Sequence, residues 1–298
     1  MPTLFCFGLG YSASHFIAQF GARFDRIAGT VTTREKAAAI AAAGFGAHAV
    51  EAFVFDGSEA APQITAALTD ADALLVSVPP RQNGDPVLTQ FADTVTGAPH
   101  LDTIVYLSTV GVYGDHGGAW VDEATPPSPV SERSRERLDA EQAWAVLGAG
   151  AGKAVAILRL SGIYGPGQNA LLQLKRGSAR RIDKPGQVFN RIHVADIAQA
   201  IDAAFARRAN GTFNVTDDEP APQGVPIAYA ADLLGVAPPP EIPFADAAKS
   251  MTPMGLSFYG ESKRVRNDRL KNELGVALRY PTYREGLRAL FDSGDHLT

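Results

Sequence analysis

Four apolar residues, Leu4-Phe5-Cys6-Phe7, run without a polar break into Gly8-Leu9-Gly10-Tyr11-Ser12-Ala13. An uninterrupted apolar strand is what a parallel sheet covered on both faces requires, and the segment Ser12 to Phe20 behind it has the apolar spacing of a helix. The glycines therefore fall at a strand-to-helix turn. In a G-x-G-x-x-G/A pattern the first glycine permits the tight turn, the second lets the backbone approach a pyrophosphate, and the third small residue packs helix against strand. Gly8, Gly10 and Ala13 hold those three places, and the amides of Tyr11, Ser12 and Ala13, with the helix dipole, would hold the anion. A strand-helix turn with no ligand is the alternative reading of the same residues.

The rest of the first half repeats this punctuation. Apolar strands at Ile27 to Val31, Ala49 to Phe55, Ala73 to Val78 and Thr103 to Ser108 alternate with helical stretches at Glu35 to Ala43, Pro62 to Leu68 and Pro86 to Thr96. Alternation of this kind predicts an α/β fold with a doubly wound parallel sheet and right-handed crossovers. A proline-rich loop, Gly114 to Pro129, leads to a charged helix over Ser131 to Leu147 and a further strand, Val155 to Leu160. From about Gly162 glycines and prolines become frequent and periodic elements shorten, which predicts a smaller second lobe. The expected division is a dinucleotide-binding unit over 1–165, completed by roughly 188–216, and a substrate-binding lobe over 166–187 and 217–298.

Composition narrows the partners. A net charge of −5 over 298 residues, with no long basic run, points away from nucleic acid and from an anionic membrane surface. The lone cysteine, Cys6, lies inside the first apolar strand, where a buried structural thiol is expected. The six histidines show no spacing that would gather a metal site. With no signal-like N-terminus and no apolar run of about 18 residues, the chain reads as soluble and cytoplasmic, with a small molecule as its expected partner and with monomer and homodimer both left open by the composition.

The end of the second strand decides between nicotinamide cofactors. NAD sites place a carboxylate there for the ribose 2′-hydroxyl, whereas an arginine accommodates the 2′-phosphate of NADP. The tip reads Thr32-Thr33-Arg34, so NADP is favoured over NAD, with Thr32 and Arg34 as contacts. Asp56, after the third strand, would meet the adenine edge or serve only as a turn residue. Val78, ending the fourth strand, and Ser108, near the end of the fifth, complete the expected cofactor contacts.

Three further segments carry a resemblance. Tyr106-Leu107-Ser108-Thr109-Val110-Gly111-Val112-Tyr113-Gly114, Arg159-Leu160-Ser161-Gly162-Ile163-Tyr164-Gly165-Pro166-Gly167 and Arg191-Ile192-His193-Val194-Ala195-Asp196-Ile197-Ala198 resemble, in that order, motifs of the extended short-chain dehydrogenase/reductases, the NAD(P)-dependent epimerases and dehydratases. The closing stretch around Ser262-Lys263-Arg264-Val265 and Tyr280 to Leu287 is similar as well. The resemblance implies a Rossmann fold, with substrate held between the sheet's C-terminal edge and the smaller lobe.

It also implies a Tyr-x-x-x-Lys pair on the helix after the fifth strand, which moves a proton while hydride passes to or from the cofactor. Ser131 to Leu147 contains neither tyrosine nor lysine. Aligning Ala140-Glu141-Gln142 with the family's helix puts Arg133 and Arg137 in those two places, and arginine does not exchange protons near neutral pH. Thr109 matches the family's hydroxyl for the reacting oxygen, and Tyr113 and Tyr164 are the candidate replacement acids. Arg133 and Arg137 are either an anion-binding pair or a solvated face at i, i+4 spacing. Asn169 and Arg191 join them as candidate substrate contacts, with Asn169 equally suited to an N-cap, while His193 is expected to pack at the start of the helix carrying Asp196. Two functions remain open: an atypical epimerase/dehydratase-like or reductase-like enzyme on a nucleotide-sugar-like or other small polar substrate, and a non-catalytic NADP(H)-binding redox sensor or regulator.

Overall fold

The computed structural model describes residues 2–297. Seven strands, β1 (Thr3–Phe7), β2 (Arg26–Val31), β3 (Glu51–Val54), β4 (Ala73–Val76), β5 (Thr103–Thr109), β6 (Ala154–Leu160) and β7 (Gly211–Val215), form one parallel sheet in the order β3-β2-β1-β4-β5-β6-β7. This is the doubly wound order that the alternating sequence predicts, reversing direction between β1 and β4. Period-two alternation explains why the strands read as continuous apolar runs: Leu4 and Cys6 face one core, Phe5 and Phe7 the other. On the first face pack α1 (Tyr11–Phe20) and α2 (Arg34–Ala43), joined by the helix Val194–Ala206. On the second pack α3 (Pro62–Thr69), α4 (Pro86–Gly97) and α5 (Glu132–Ala151). Cys6 is fully buried and burial pushes its thiol far up, as a structural cysteine should be. No helix among the described residues is long and apolar enough to cross a membrane.

Between the sheet and α5 lies a polar layer. The Arg159 guanidinium on β6 grips Glu141 of α5, Nη2 to Oε2 at 2.7 Å and Nε to both carboxylate oxygens at 3.2 Å, with side chains only 6% and 3% exposed. Ser108 of β5 donates its hydroxyl to the same carboxylate, and Arg159 also stacks over the Tyr113 ring at 4.8 Å. Tyr113 in turn donates to Asn214 Oδ1 at 2.8 Å, so β5, β6, β7 and α5 share one buried network. Its geometry is bidentate, which offsets much of the cost of taking both charges out of water.

Outside the large sheet the chain builds short parallel pairs: Gly162–Tyr164 with Arg191–His193, Arg181–Asp183 with Glu241–Pro243, and Trp120–Val121 with Arg264–Val265. A separate apolar cluster gathers Tyr164, Leu171, Ala230, Leu233, Tyr283 and Leu287. His193 caps the helix Val194–Ala206, its Nδ1 accepting from the Ala195 amide at 3.1 Å, and Asp196 accepts from the amides of Arg279 at 2.6 Å and Tyr280 at 3.1 Å. That carboxylate pins the late Tyr280 to Leu287 segment onto the sheet's first face.

Two predictions follow from burial. Glu141→Ala strands the Arg159 charge and should cost about 3–5 kcal/mol in chemical unfolding, whereas a surface change such as Glu136→Ala should stay within about 0.5 kcal/mol. Burial holds the His193 imidazole down at about 4. The unfolded chain therefore takes up a proton near pH 6.5 that the folded chain refuses, and stability drains away as pH falls from 7 towards 4. Between pH 7 and 5 the His193 contribution amounts to about 2 kcal/mol. His193→Asn keeps a capping oxygen and should flatten the pH dependence of unfolding by that amount relative to wild type.

Candidate active site

The loops that follow β1, β4 and β5 meet where the strand order reverses, the usual place for a ligand in an open parallel sheet. Gly8 adopts φ +95°, and a Cβ there would lie 2.5 Å from Ser77 Oγ, so neither backbone nor space admits a side chain. Ser77 fixes this contact by donating to the Gly8 carbonyl at 2.7 Å. A Cβ on Gly10 would meet nothing within 4 Å. The space over Gly10 is open, and α1 begins at Tyr11 with Gly10 as N-cap, so its first amides point where an anion can sit. Ala13 is fully buried against the sheet, as the third position of the pattern demands. These features fit a dinucleotide pyrophosphate.

At the tip of β2, Thr32, Thr33 and Arg34 are exposed, with Thr33 capping α2 and Arg34 its first residue. No carboxylate stands at this tip before Glu35. Asp56 makes an Asx turn onto Ser58, and hydrogen bonds from the Ser58 amide and hydroxyl hold its carboxyl below the usual range. Arg81, from the loop after β4, folds over this turn and donates to the Asp56 carbonyl. It places a cation beside the turn after β3 that no sequence pattern indicated. Val78 is half-buried against Gly8. The Tyr11 side chain turns away from the glycine loop and donates to the Pro166 carbonyl at 2.8 Å, so the part of Tyr11 that can serve an anion is its amide.

Beside this crib a cavity of about 430 Å³ opens at the ends of β4 and β5. Pro79 and Pro80 form one side, Thr109 and Gly111 the floor, and Arg133, Ser134 and Arg137 of α5 a second side. The helix Pro253–Tyr259 closes the rim with Met254 and Phe258, and Glu261 and Lys263 complete the wall. The Thr109 hydroxyl accepts from the Gly111 amide at 3.1 Å and keeps its proton for a ligand. Arg137 donates to the Leu107 carbonyl at 2.9 Å and the Tyr106 hydroxyl at 3.1 Å, which locks it against β5. The i, i+4 spacing thus aims both arginines into the cavity, and Arg135 between them reaches instead to the Pro129 and Val130 carbonyls. Lys263 Nζ is bound to the Gly114 carbonyl at 2.8 Å and to Glu261 at 2.6 Å, and the pair is largely buried.

Several sequence expectations are corrected here. Ser108 does not reach the cofactor crib: neighbouring strand residues face opposite ways, and its hydroxyl belongs to the buried Arg159–Glu141 pair. Tyr113 is fully buried, with its hydroxyl spent on Asn214, and burial pushes its pKa up. Tyr164 lies against the Thr282 carbonyl at 3.4 Å, and its phenol is pushed far up by burial. Neither tyrosine lines the Thr109 cavity, so neither replaces the absent acid. The four candidate substrate contacts split into two groups. Arg133 and Arg137 line this cavity, whereas Asn169 and Arg191 line another, and Asn169 serves as N-cap of the helix Ala170–Lys175. Lys263 was missed as a site residue because it arrives from about 150 residues beyond Thr109, carried by the short strand pair Trp120–Val121 and Arg264–Val265.

A family model described as NAD dependent epimerase/dehydratase family matches residues 91–216. A solved structure of a functionally unknown conserved protein from Silicibacter pomeroyi superposes with a TM-score of 0.88 at 45% identity, covering 98% of this chain and 99% of that one. Protein YeeZ of Escherichia coli K12 is 28% identical over 285 residues, 92% of this chain and 94% of that protein. The dTDP-glucose 4,6-dehydratase of Bacillus anthracis, solved in complex with NAD, shares the fold with a TM-score of 0.75 at 17% identity, over 98% of this chain and 96% of that one.

The glycine crib is directly testable. Gly8→Ala forces a left-handed backbone on alanine against Ser77 and should lower stability by about 1–3 kcal/mol, read as a fall in Tm. Gly10→Ala, with open space around it, should leave Tm nearly unchanged while weakening dinucleotide binding measured by calorimetry.

Proposed function

We propose that this chain is an atypical member of the NAD-dependent epimerase/dehydratase family, within the extended short-chain dehydrogenase/reductases, and an NADP-dependent enzyme acting on a small anionic, nucleotide-sugar-like substrate. The observation that carries this reading is the convergence of Thr109, Arg133, Arg137 and Lys263 on one cavity beside the glycine crib. Gly8, Gly10 and the amides of Tyr11, Ser12 and Ala13 would hold the pyrophosphate, and Arg34 with Thr32 the adenosine 2′-phosphate. When bound, the nicotinamide supplies hydride exchange with a substrate carbon.

The remaining work falls to this chain's own groups. Three cations face the cavity and only Glu261 opposes them, already paired with Lys263, so a carboxylate or phosphate of the substrate finds Arg133 and Arg137 unopposed. The Thr109 hydroxyl would orient the reacting oxygen. Of the cationic side chains lining the cavity, only Lys263 can exchange a proton. A lysine ammonium carries protons that it can give up and regain, whereas a guanidinium keeps its own. Lys263 would therefore hold the proton that the substrate oxygen takes or gives up, with Glu261 as its charge partner. A cavity furnished in this way favours turnover over passive redox sensing.

Calorimetry with NADP, NADPH, NAD and NADH tests the cofactor assignment. NADP should bind at least tenfold more tightly than NAD, about 1.4 kcal/mol, and Arg34→Asp should abolish that difference. Equal affinities in the wild type would sink the NADP assignment. Absorbance at 340 nm across a panel of UDP-sugars, uronic acids and small keto acids tests turnover. For any accepted substrate, Lys263→Gln should lower kcat about 10²–10⁴-fold with little change in NADP affinity. An unchanged kcat would remove Lys263 from the chemistry.

A further inference from the structure

Arg191 and Arg176 line a second cavity, of about 490 Å³, on the far side of the Tyr164 to Gly167 loop from the glycine crib. Its walls come from the helices Ala170–Lys175, Gly224–Leu234 and Tyr283–Asp292 and from the strand Gly162–Tyr164. No residue lining it is an aspartate or glutamate. Arg191 is largely enclosed, and its Nη1 donates to the carbonyls of Phe189 at 3.0 Å and Ala221 at 3.2 Å. A guanidinium has more donors than those two carbonyls use.

Among the described residues neither Arg191 nor Arg176 forms an ion pair within 4.0 Å, whereas Arg23, Arg26, Arg159, Arg181, Arg269 and Arg284 all do. The carboxylates nearest in charge to Arg191 are otherwise committed. Glu219 pairs with Arg284 at 3.0 Å, and burial pushes the Asp217 carboxyl up, which weakens the charge nearest to Arg191. An enclosed cation without a counter-ion is costly, and an anion that fills the cavity would repay that cost. The side chains of Gln168 and Gln173 on the same wall offer amides for hydroxyl groups on whatever carries the charge. The volume lies within the usual range of roughly 300–1,000 Å³ for small-molecule pockets.

We propose that this cavity is a second binding site, separate from the Thr109 cavity, for a small phosphate-bearing molecule clamped between Arg176 and Arg191. Two guanidinium groups on different elements suit the several oxygens and near-double charge of a phosphate group. The site does not depend on the catalytic reading above, because it shares no lining residue with the Thr109 cavity.

The test uses the full chain with inorganic phosphate as probe, against chloride at equal ionic strength. Arginine-directed dicarbonyl labelling, read peptide by peptide in a mass spectrometer, should show Arg176 protected by phosphate at least fivefold, with exposed Arg135 unaffected. In calorimetry, Arg176→Gln should weaken phosphate binding at least fivefold, while the Arg133→Gln, Arg137→Gln double variant should retain it. Arg176 is exposed, so its replacement leaves folding intact, and Arg191→Lys gives an independent arm that keeps the charge but loses the fork. Equal labelling of Arg176 with and without phosphate, or heat lost only in the Arg133, Arg137 double variant, would overturn the proposal.

Discussion

The side chains of β5 and α5 that converge on the Thr109 cavity rest on one ion pair that does not line it. Arg159 and Glu141 are buried between β6 and α5, and their bidentate contact sets the rotation of α5 about its own axis. That rotation aims Arg133 and Arg137 at the end of β5. The same carboxylate draws in the Ser108 hydroxyl, which commits the next residue, Thr109, to the opposite face and so to the cavity. Through Tyr113 and Asn214 the network also reaches β7 and, by a 3.1 Å bond to the Arg266 carbonyl, the segment that delivers Lys263. A single polar anchor in an apolar layer thus places the hydroxyl, both arginines and the lysine. Buried pairs contribute little net stability but much positional definition when their hydrogen bonds are complete.

How much of this was legible depended on whether the information was local. The strand, glycine and helix of residues 4 to 20 constrain one another within a few bonds, so the strand-to-helix glycine turn and the parallel sheet could be read from periodicity and turn chemistry. His193 as a helix cap and Asp196 behind it were equally local. Tyr113 and Tyr164 look like acids in one dimension because they sit just past strands, yet burial and tertiary partners claim both hydroxyls. Arg191 and Asn169 occupy motif segments that in sequence seem to flank a single site. The short pair of strands Gly162–Tyr164 and Arg191–His193 carries them around to a different cavity. Lys263 illustrates the limit from the other side: the closing stretch that carries it resembles a family segment, yet nothing in that segment says where it lies, and only the pairing of two two-residue strands brings it to the wall of the Thr109 cavity.

The charge pattern also reconciles an acidic protein with anionic ligands. A net charge of −5 would repel small anions at long range, but screening confines that field to about 8–10 Å at ordinary ionic strength. Inside a concave wall the local set of side chains dominates, and among the described residues the arginines of both cavities donate to carbonyls, a phenol or a thioether, with no carboxylate within 4.0 Å. Under the proposed assignments, specificity for negative ligands is therefore a property of two recesses and not of the surface.

The route by which Lys263 reaches its place has a consequence for how the molecule comes into being. Six strands of the sheet and α5 lie within the first 160 residues, and β7 closes the edge at Val215. The helix Pro253–Tyr259 and Lys263, which finish the cavity wall, leave the ribosome roughly 50 residues later, a delay of several seconds at ~5–20 residues per second. During that interval a nascent chain can complete its nucleotide-binding half while the arginines of α5 still face open water. Under the proposed function the glycine crib is thus complete before the Thr109 cavity is enclosed, which separates the two in the order of synthesis.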